Sequence, residues 1–324
     1  MNVQEDILRA KIDPCLTDAT LSALATEALG VRVRCDGYSI LTGGLWNRVI
    51  SVPVDGTERR LVIKIAPQPD DSALRREYDV LHYFRQHTAM PVPEPLLLDA
   101  SGEKIPGSVL VMSEVPGKVL SAIRETLTQA EQRSIAQEIA ELVSDLHTHQ
   151  EPGFGGVELT PSKRSATWAD FWVPRYDVAV AEARDKGLLD AAMLDGLAHL
   201  RGQLPALLDI GPTGTLTHYD IWTGNVMVDR RHGRLYVSAF LDVMGYYADY
   251  VRELSSMFSM ADEWLLQTYR QRHPFDAGFR GRFDAYSLKM CLQLVSMYPS
   301  EPRYVDDARQ FLGQVLRYGA GGST

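Results

Sequence analysis

Three side chains between Leu216 and Asp242 have the types and spacing to do chemistry. Asp220 and Asn225 stand five residues apart on a segment that enters from apolar Leu216 and leaves into the strand-like run Asn225-Val226-Met227-Val228. A second strand-like run, Tyr236 to Leu241, ends on Asp242. The polar stretch Asp229-Arg230-Arg231-His232-Gly233 between them suits a hairpin turn. Pairing the runs would bring Asn225 and Asp242 together at one end, with Asp220 just ahead of them. A carboxylate that can take a hydroxyl proton, with an amide and a second carboxylate offering oxygens to magnesium, is the set phosphoryl transfer requires. The bland alternative is a loop with three unrelated polar residues. Spacing, order and flanking strand character together argue against it.

Other elements must bring charge to the same chemistry. The β-rich run Arg59 to Ala66 carries Lys64, whose alternation partners Val62 and Ala66 are apolar. Thirteen residues later Glu77 falls in a helix whose apolar face holds Leu74, Leu81 and Phe84. An unpaired carboxylate on an inward face is costly, so Lys64 is the expected partner, with a solvated edge position as the alternative. Earlier, Val31 to Ile40 reads as a strand, Leu41 to Asn47 as a turn, and Arg48 to Val54 as the return strand. The pair Gly43-Gly44 in that turn would let backbone approach a phosphate closely, although an ordinary hairpin turn reads the same way.

The remaining chain is mostly helical. Residues 4–29 read as one or two helices interrupted by Pro14, with Asp18 as N-cap of the second. Gly107 to Met112 is a buried-type strand, Thr128 to His147 a helix, and Trp168–Val173 and Val178–Leu208 two more. Helices are also expected over Tyr250–Met260, Asp262–Arg272, Phe279–Tyr298 and Tyr304–Tyr318. His147 and His149 have no third metal-type ligand with matching spacing, so a surface or capping role is expected for them.

His218-x-Asp220-x-x-x-x-Asn225 followed by Asp242 resembles the catalytic core of the protein-kinase-like phosphotransferases, above all the aminoglycoside phosphotransferase and choline kinase branch. Within it, Asp220-Ile-Trp222-Thr-Gly224-Asn225 and Gly245-Tyr-Tyr-Ala-Asp249-Tyr-Val-Arg-Glu253-Leu254 are similar to the fructosamine kinases. The resemblance covers nearly the whole chain and implies an α+β, two-lobed protein-kinase-like fold. Residues 1–115 would form N-terminal helices and a small antiparallel-sheet lobe that binds nucleotide. Residues 116–324 would form a mainly helical catalytic lobe. ATP and Mg2+ are the implied cofactors, with Asp220 as base and Asn225 and Asp242 as metal ligands. Gly43, Gly44 and Asn47 would approach the nucleotide, Lys64 braced by Glu77 would neutralise phosphate charge, and the Glu114 carbonyl and Val115 amide would hold the adenine edge. His218 would support the loop. Asp249 would brace the loop's backbone or cap the next helix, and Trp222 would border the acceptor or anchor the core.

The chain departs from the family pattern in two places. Tyr219 stands where aminoglycoside and fructosamine kinases usually have glycine. Related kinases place other residues there, so no positive φ is expected. Val243-Met244 after Asp242 matches neither branch.

The implied acceptor is the hydroxyl of a small amine-bearing molecule, a ketosamine or amino sugar first and an aminoglycoside or other secondary metabolite second. A non-catalytic nucleotide-binding module is the rival class. The joint presence of Asp220, Asn225, Asp242 and Lys64 argues against it. The absence of an Ala-Pro-Glu element after Asp242 argues against a protein kinase.

Composition sets outer bounds. The 324 residues are 45% apolar and 23% charged, an ordinary globular balance. A net charge of −9 argues against nucleic acid as partner and is compatible with a cationic small substrate. Three dispersed cysteines fit reduced thiols in the cytoplasm. The acidic first six residues are not expected to act as a signal peptide, and no run approaches membrane-spanning length.

Overall fold

Alternating apolar residues in the first third of the chain build an antiparallel sheet. Its strands are Ser39–Ile40 (β1), Arg48–Pro53 (β2), Arg60–Ala66 (β3), Pro95–Asp99 (β4) and Ser108–Ser113 (β5), in the order β1-β2-β3-β5-β4. The structure is a computed structural model and describes residues 8–41, 47–257 and 263–320. The turn glycines Gly43 and Gly44 lie outside the described residues. In β3, Leu61, Ile63 and Ile65 are fully buried and pack with Leu21, Leu24 and Ala25 of helix Asp18–Leu29 (α1). The period of two then turns Lys64 to the opposite face of the sheet, where helix Ser72–His87 (α2) meets it.

Two local expectations need correction. The run 31–40 is strand only at Ser39–Ile40. Its backbone is satisfied by α1 side chains instead of a neighbouring strand: Ser22 Oγ accepts from Cys35 N at 2.9 Å and Thr26 Oγ1 from Val33 N at 3.2 Å. The N-cap of α1 is Thr17, whose hydroxyl accepts from Thr20 N at 3.2 Å. The Asp18 carboxylate accepts from Gly37 N at 2.9 Å and ties the same segment to the helix.

Contacts divide the chain into two compact units. The first contains residues 1–118 with 227–229 and 238–243, and the second contains 119–226, 230–237 and 244–324. The later pieces of the first unit come from strands Val226–Arg231 and Arg234–Phe240, joined at His232-Gly233. Both turn residues have positive φ, +51° and +79°, the geometry that matches hairpin twist. Phe240 N donates to the Pro91 carbonyl at 2.8 Å and Ser238 Oγ to the Pro116 carbonyl at 2.7 Å. These bonds hold the stretch ending at Asp242 to the first unit.

The second unit contains an antiparallel sheet of Gln150–Pro152, Gly155–Gly156, Thr213–Thr217 and Tyr246–Ala248, with the last strand between the second and third. Around it lie helices Gln129–Leu146 (α3), Trp168–Asp185 (α4), Ala191–Leu207 (α5), Tyr250–Ser256 (α6), Glu263–Arg272 (α7), Phe279–Met297 (α8) and Arg303–Ala320 (α9). Thr128 and Glu131 form a reciprocal capping box at the start of α3. Helix α8 packs against α4, α6 and α9. The expected break near Pro174 is absent, and α4 runs through it. Pro174 is exposed while Trp172 and Tyr176 on either side are buried, so the missing N–H lies toward water and the packed face carries the helix on. Among the described residues no helix is long and apolar enough to cross a membrane.

Gly107 precedes β5 where a Cβ would overlap the Ala66 carbonyl oxygen, a backbone atom that cannot rotate away. Gly107→Ala is expected to cost roughly 1–3 kcal/mol as an overpacked site, read as a lower urea midpoint at unchanged slope.

Candidate active site

In the first unit the alternation of β3 and the phase of α2 meet at one charge. Lys64 Nζ donates to Glu77 Oε2 at 2.8 Å and Oε1 at 3.0 Å, and to Asp242 Oδ1 at 2.9 Å. Lys64 and Glu77 side chains are each 15% exposed, against 54% for Asp242. Burial opposes the Lys64 charge, but the Glu77 and Asp242 carboxylates outweigh it and hold the ammonium protonated far into the alkaline range. Asp242 sits at φ +55°, and among the described residues its Oδ2 accepts no hydrogen bond. One ammonium thus faces two carboxylates, one enclosed and one open.

In the second unit the loop between Thr217 and Val226 carries Asp220. Asn225 Nδ2 donates to Asp220 Oδ2 at 2.9 Å and to the Asp220 carbonyl at 3.0 Å. This fixes the amide's orientation and leaves its oxygen as an acceptor. Buried His218 accepts the Asp220 N–H on Nδ1 at 3.2 Å, which assigns the ring proton to Nε2 when neutral. The His218 carbonyl accepts from Met244 N at 3.0 Å and Gly245 N at 3.3 Å. His218 therefore supports the loop through both its side chain and its backbone.

Tyr219 overturns an expectation. Its φ is +78°, the left-handed conformation that the substitution of tyrosine for glycine had argued against. Such a residue costs about 1–3 kcal/mol unless its surroundings dictate it. They do so here: Glu253 Oε2 accepts the Tyr219 N–H at 2.7 Å, the Arg252 guanidinium lies 4.6 Å from the ring centroid, and the Tyr246 ring lies 4.6 Å away.

The loop's brace is also corrected. Asp249 does not face the loop backbone. Its Oδ1 caps α6 by accepting from Val251 N at 3.1 Å, and its Oδ2 accepts from Arg282 Nε at 2.7 Å and Tyr286 OH at 2.6 Å. Glu253, fully buried, takes the bracing role. The sequence held a signal for it, since an acid between apolar Val251 and Leu254 is as anomalous as Glu77 on its helix.

The other named residues are placed as follows. The Trp222 side chain is 46% exposed, which excludes a buried anchor, and a Cβ on Gly224 would overlap its ring. The indole therefore lies against the loop backbone at Gly224 while much of it meets solvent. Glu114 N donates to the Arg60 carbonyl at 3.1 Å, and its carboxylate accepts from Arg60 Nε at 3.1 Å and from the Ser51 hydroxyl. Val115 and Asn47 are half-buried, just after β5 and just before β2. Among the described residues no group of three or more His, Cys, Asp or Glu side chains is arranged to hold a metal.

Comparison with known proteins gives residues 38–286 as a match to the phosphotransferase enzyme family model. The chain belongs to that family. It is a phosphotransferase enzyme with the α+β fold of the kinase-like group. A candidate fructosamine-3-kinase from Haemophilus somnus 129PT superposes with a TM-score of 0.72 at 19% identity, over 91% of this chain and 96% of its own. A candidate aminoglycoside phosphotransferase from Ralstonia eutropha JMP134 gives 0.69 at 15%, over 95% and 99%. The streptomycin–ATP complex of APH(2'')-IIa gives 0.60 at 13%, over 92% and 96%. A search of curated proteins gives no match.

In this phosphotransferase the Glu253 brace has a pH signature. Burial raises its carboxyl from 4.5 to about 7, against the Tyr219 backbone N–H and the Arg252 charge, which favour ionisation. Below 4.5 folded and unfolded chains both hold the proton. Between 4.5 and 7 the unfolded chain releases it while the folded chain keeps it, so this group's contribution to stability falls as pH rises through that window and levels off above it. Urea midpoints across that range should fall more steeply in the wild type than in Glu253→Gln. Parallel profiles would mean Glu253 does not titrate there.

Proposed function

We propose that the chain transfers the γ-phosphoryl group of ATP to a hydroxyl of a small molecule. The observation that carries this is Lys64, an ammonium kept charged between the enclosed Glu77 and the open Asp242, as a phosphate site requires. The donor chemistry fits magnesium: a carboxylate oxygen of Asp242 and the amide oxygen of Asn225 are hard ligands of the kind it prefers. When bound, that ion would neutralise charge on the transferring phosphates. Asn225 and Asp242 would hold it, and Lys64 would hold the phosphates. The Glu114 carbonyl and Val115 amide are the proposed adenine contacts, with Asn47, Gly43 and Gly44 on the phosphate side.

Asp220 takes or orients the hydroxyl proton. Its Oδ2 is pinned by Asn225, so the carboxylate meets the acceptor in one orientation. Positioning of this kind, with electrostatic stabilisation, is most of what the protein contributes to phosphoryl transfer. The proposed acceptor is an amine-bearing ketosamine or amino sugar. Two similar structures are named as candidate fructosamine-3-kinases, and the half-exposed Trp222 offers an indole surface for a sugar ring or ammonium.

Two experiments test this reading. ATP consumption over a panel of sugars, ketosamines, amino sugars and aminoglycosides should identify an acceptor, and Asp220→Asn should lower its kcat by about 10²–10⁴ with ATP affinity retained. Wild-type turnover in that variant would remove Asp220 from the mechanism. Trp222→Ala should raise the acceptor KM several-fold and leave the ATP KM in place, and an unchanged acceptor KM would remove the indole from the site.

A further inference from the structure

The second unit carries a row of cations and rings that begins at the residue beside Asp220. The Arg175 guanidinium lies 3.7 Å from the Phe171 ring centroid. Phe171 lies 5.5 Å from Tyr246, Tyr246 lies 4.6 Å from Tyr219, and Tyr219 lies 4.6 Å from the Arg252 guanidinium. Lys289 on α8 joins the row, since α8 packs on both α6, which bears Arg252, and α4, which bears Arg175. Arg252 is 6% exposed and Lys289 8% exposed. Among the described residues none of the three cations forms an ion pair. Arg252 Nη1 is enclosed without a hydrogen-bond partner, and Lys289 Nζ donates to the neutral Gln293 amide oxygen at 2.7 Å.

Enclosed cations without a carboxylate at ion-pair distance are costly, and an arriving counter-charge would relieve that cost. The left-handed Tyr219 points to the same purpose, because only a side chain at this position puts a ring between Arg252 and Tyr246. Glycine, with its free access to positive φ, would make the loop turn at lower cost and leave the row broken. Strain of this kind gathers at functional sites.

We propose that the row receives an anionic group, a carboxylate or a phosphate, carried by the acceptor whose hydroxyl meets Asp220. The proposal rests on the reading of Asp220 as the acceptor-side base. Arg175 is exposed and makes the direct contact, while Arg252 and Lys289 act from behind through a medium of low polarity. A ketosamine derived from an amino acid would satisfy both halves of the site, its ring at Trp222 and its carboxylate at the row. A polycation such as an aminoglycoside would be repelled. Burial, then the Arg252 and Arg175 charges, pulls the Lys289 ammonium down to about 7, and only Glu182 opposes this. An arriving anion would restore its proton.

Calorimetric titration with two matched pairs tests the proposal without requiring turnover: fructosyl-glycine against its uncharged-terminus amide, and fructose 6-phosphate against fructose. The charged member of one pair should bind about tenfold tighter or more. The pair that shows the difference identifies carboxylate or phosphate as the group. Arg175→Ala and Lys289→Met should each shrink that ratio to under about threefold, with the uncharged member's affinity and ATP binding unchanged. Tyr219→Gly should abolish the preference. The wild-type ratio should also fall between pH 6 and 8 as Lys289, facing Arg252, Arg175, Glu182 and Gln293, loses its proton, and this slope should be absent in Lys289→Met. Equal binding within both pairs, or tighter binding of kanamycin than of either anion, overturns the proposal and leaves the phosphotransferase intact. If the anion binds tighter but its phosphorylation does not depend on Asp220, the base assignment falls and the anion site stands.

Discussion

A single buried carboxylate sets the geometry of the loop that carries Asp220. Glu253 accepts the Tyr219 N–H and thereby holds a tyrosine backbone in the left-handed region. With that residue turned, the next amide reaches His218 Nδ1 and the Asp220 carboxylate is presented to Asn225. The loop has little regular secondary structure of its own, so its precision is borrowed from a helix that starts about thirty residues later. Asp249 caps that helix and ties it to α8 through Arg282 and Tyr286. Loop, cap and helix are consecutive links of one hydrogen-bonded chain, and each link is enclosed enough that losing it would strand a buried polar group.

What could be read from the sequence was what left a local anomaly. A lysine between apolar alternation partners and a glutamate on an apolar helix face each violate a pattern, and two violations of opposite charge name each other. The hairpin before Asp242 was legible because its turn chemistry and flanking strands are contiguous. Tyr219 was not legible, because its conformation is dictated by Glu253, distant in sequence, and nothing near Tyr219 announces the partner. Asp249 was half legible. Its capping oxygen follows from position, while the partners of its other oxygen lie on α8. The failed strand at 31–38 has the same cause in reverse: weak alternation was present, but side chains of α1 took the backbone bonds that a neighbouring strand would have taken.

Buried cations are treated in opposite ways at Lys64 and at the Arg252–Lys289 cluster, and the net charge of −9 conceals it. Lys64 is matched by two carboxylates, so its surroundings carry excess negative charge that a phosphate alone would not balance and a divalent cation would. Among the described residues Arg252 and Lys289 have no carboxylate at ion-pair distance, and the Glu253 and Glu182 charges act on them from farther off. A sum over the chain cannot say which ligand either place prefers, because the energy of an enclosed charge depends on neighbours within a few ångströms. Acidity overall is compatible with a cationic acceptor, yet the Tyr219 ring beside Asp220 packs against the Arg252 guanidinium. A group bound within a few ångströms feels that local arrangement, while the bulk of the surface charge is screened by salt.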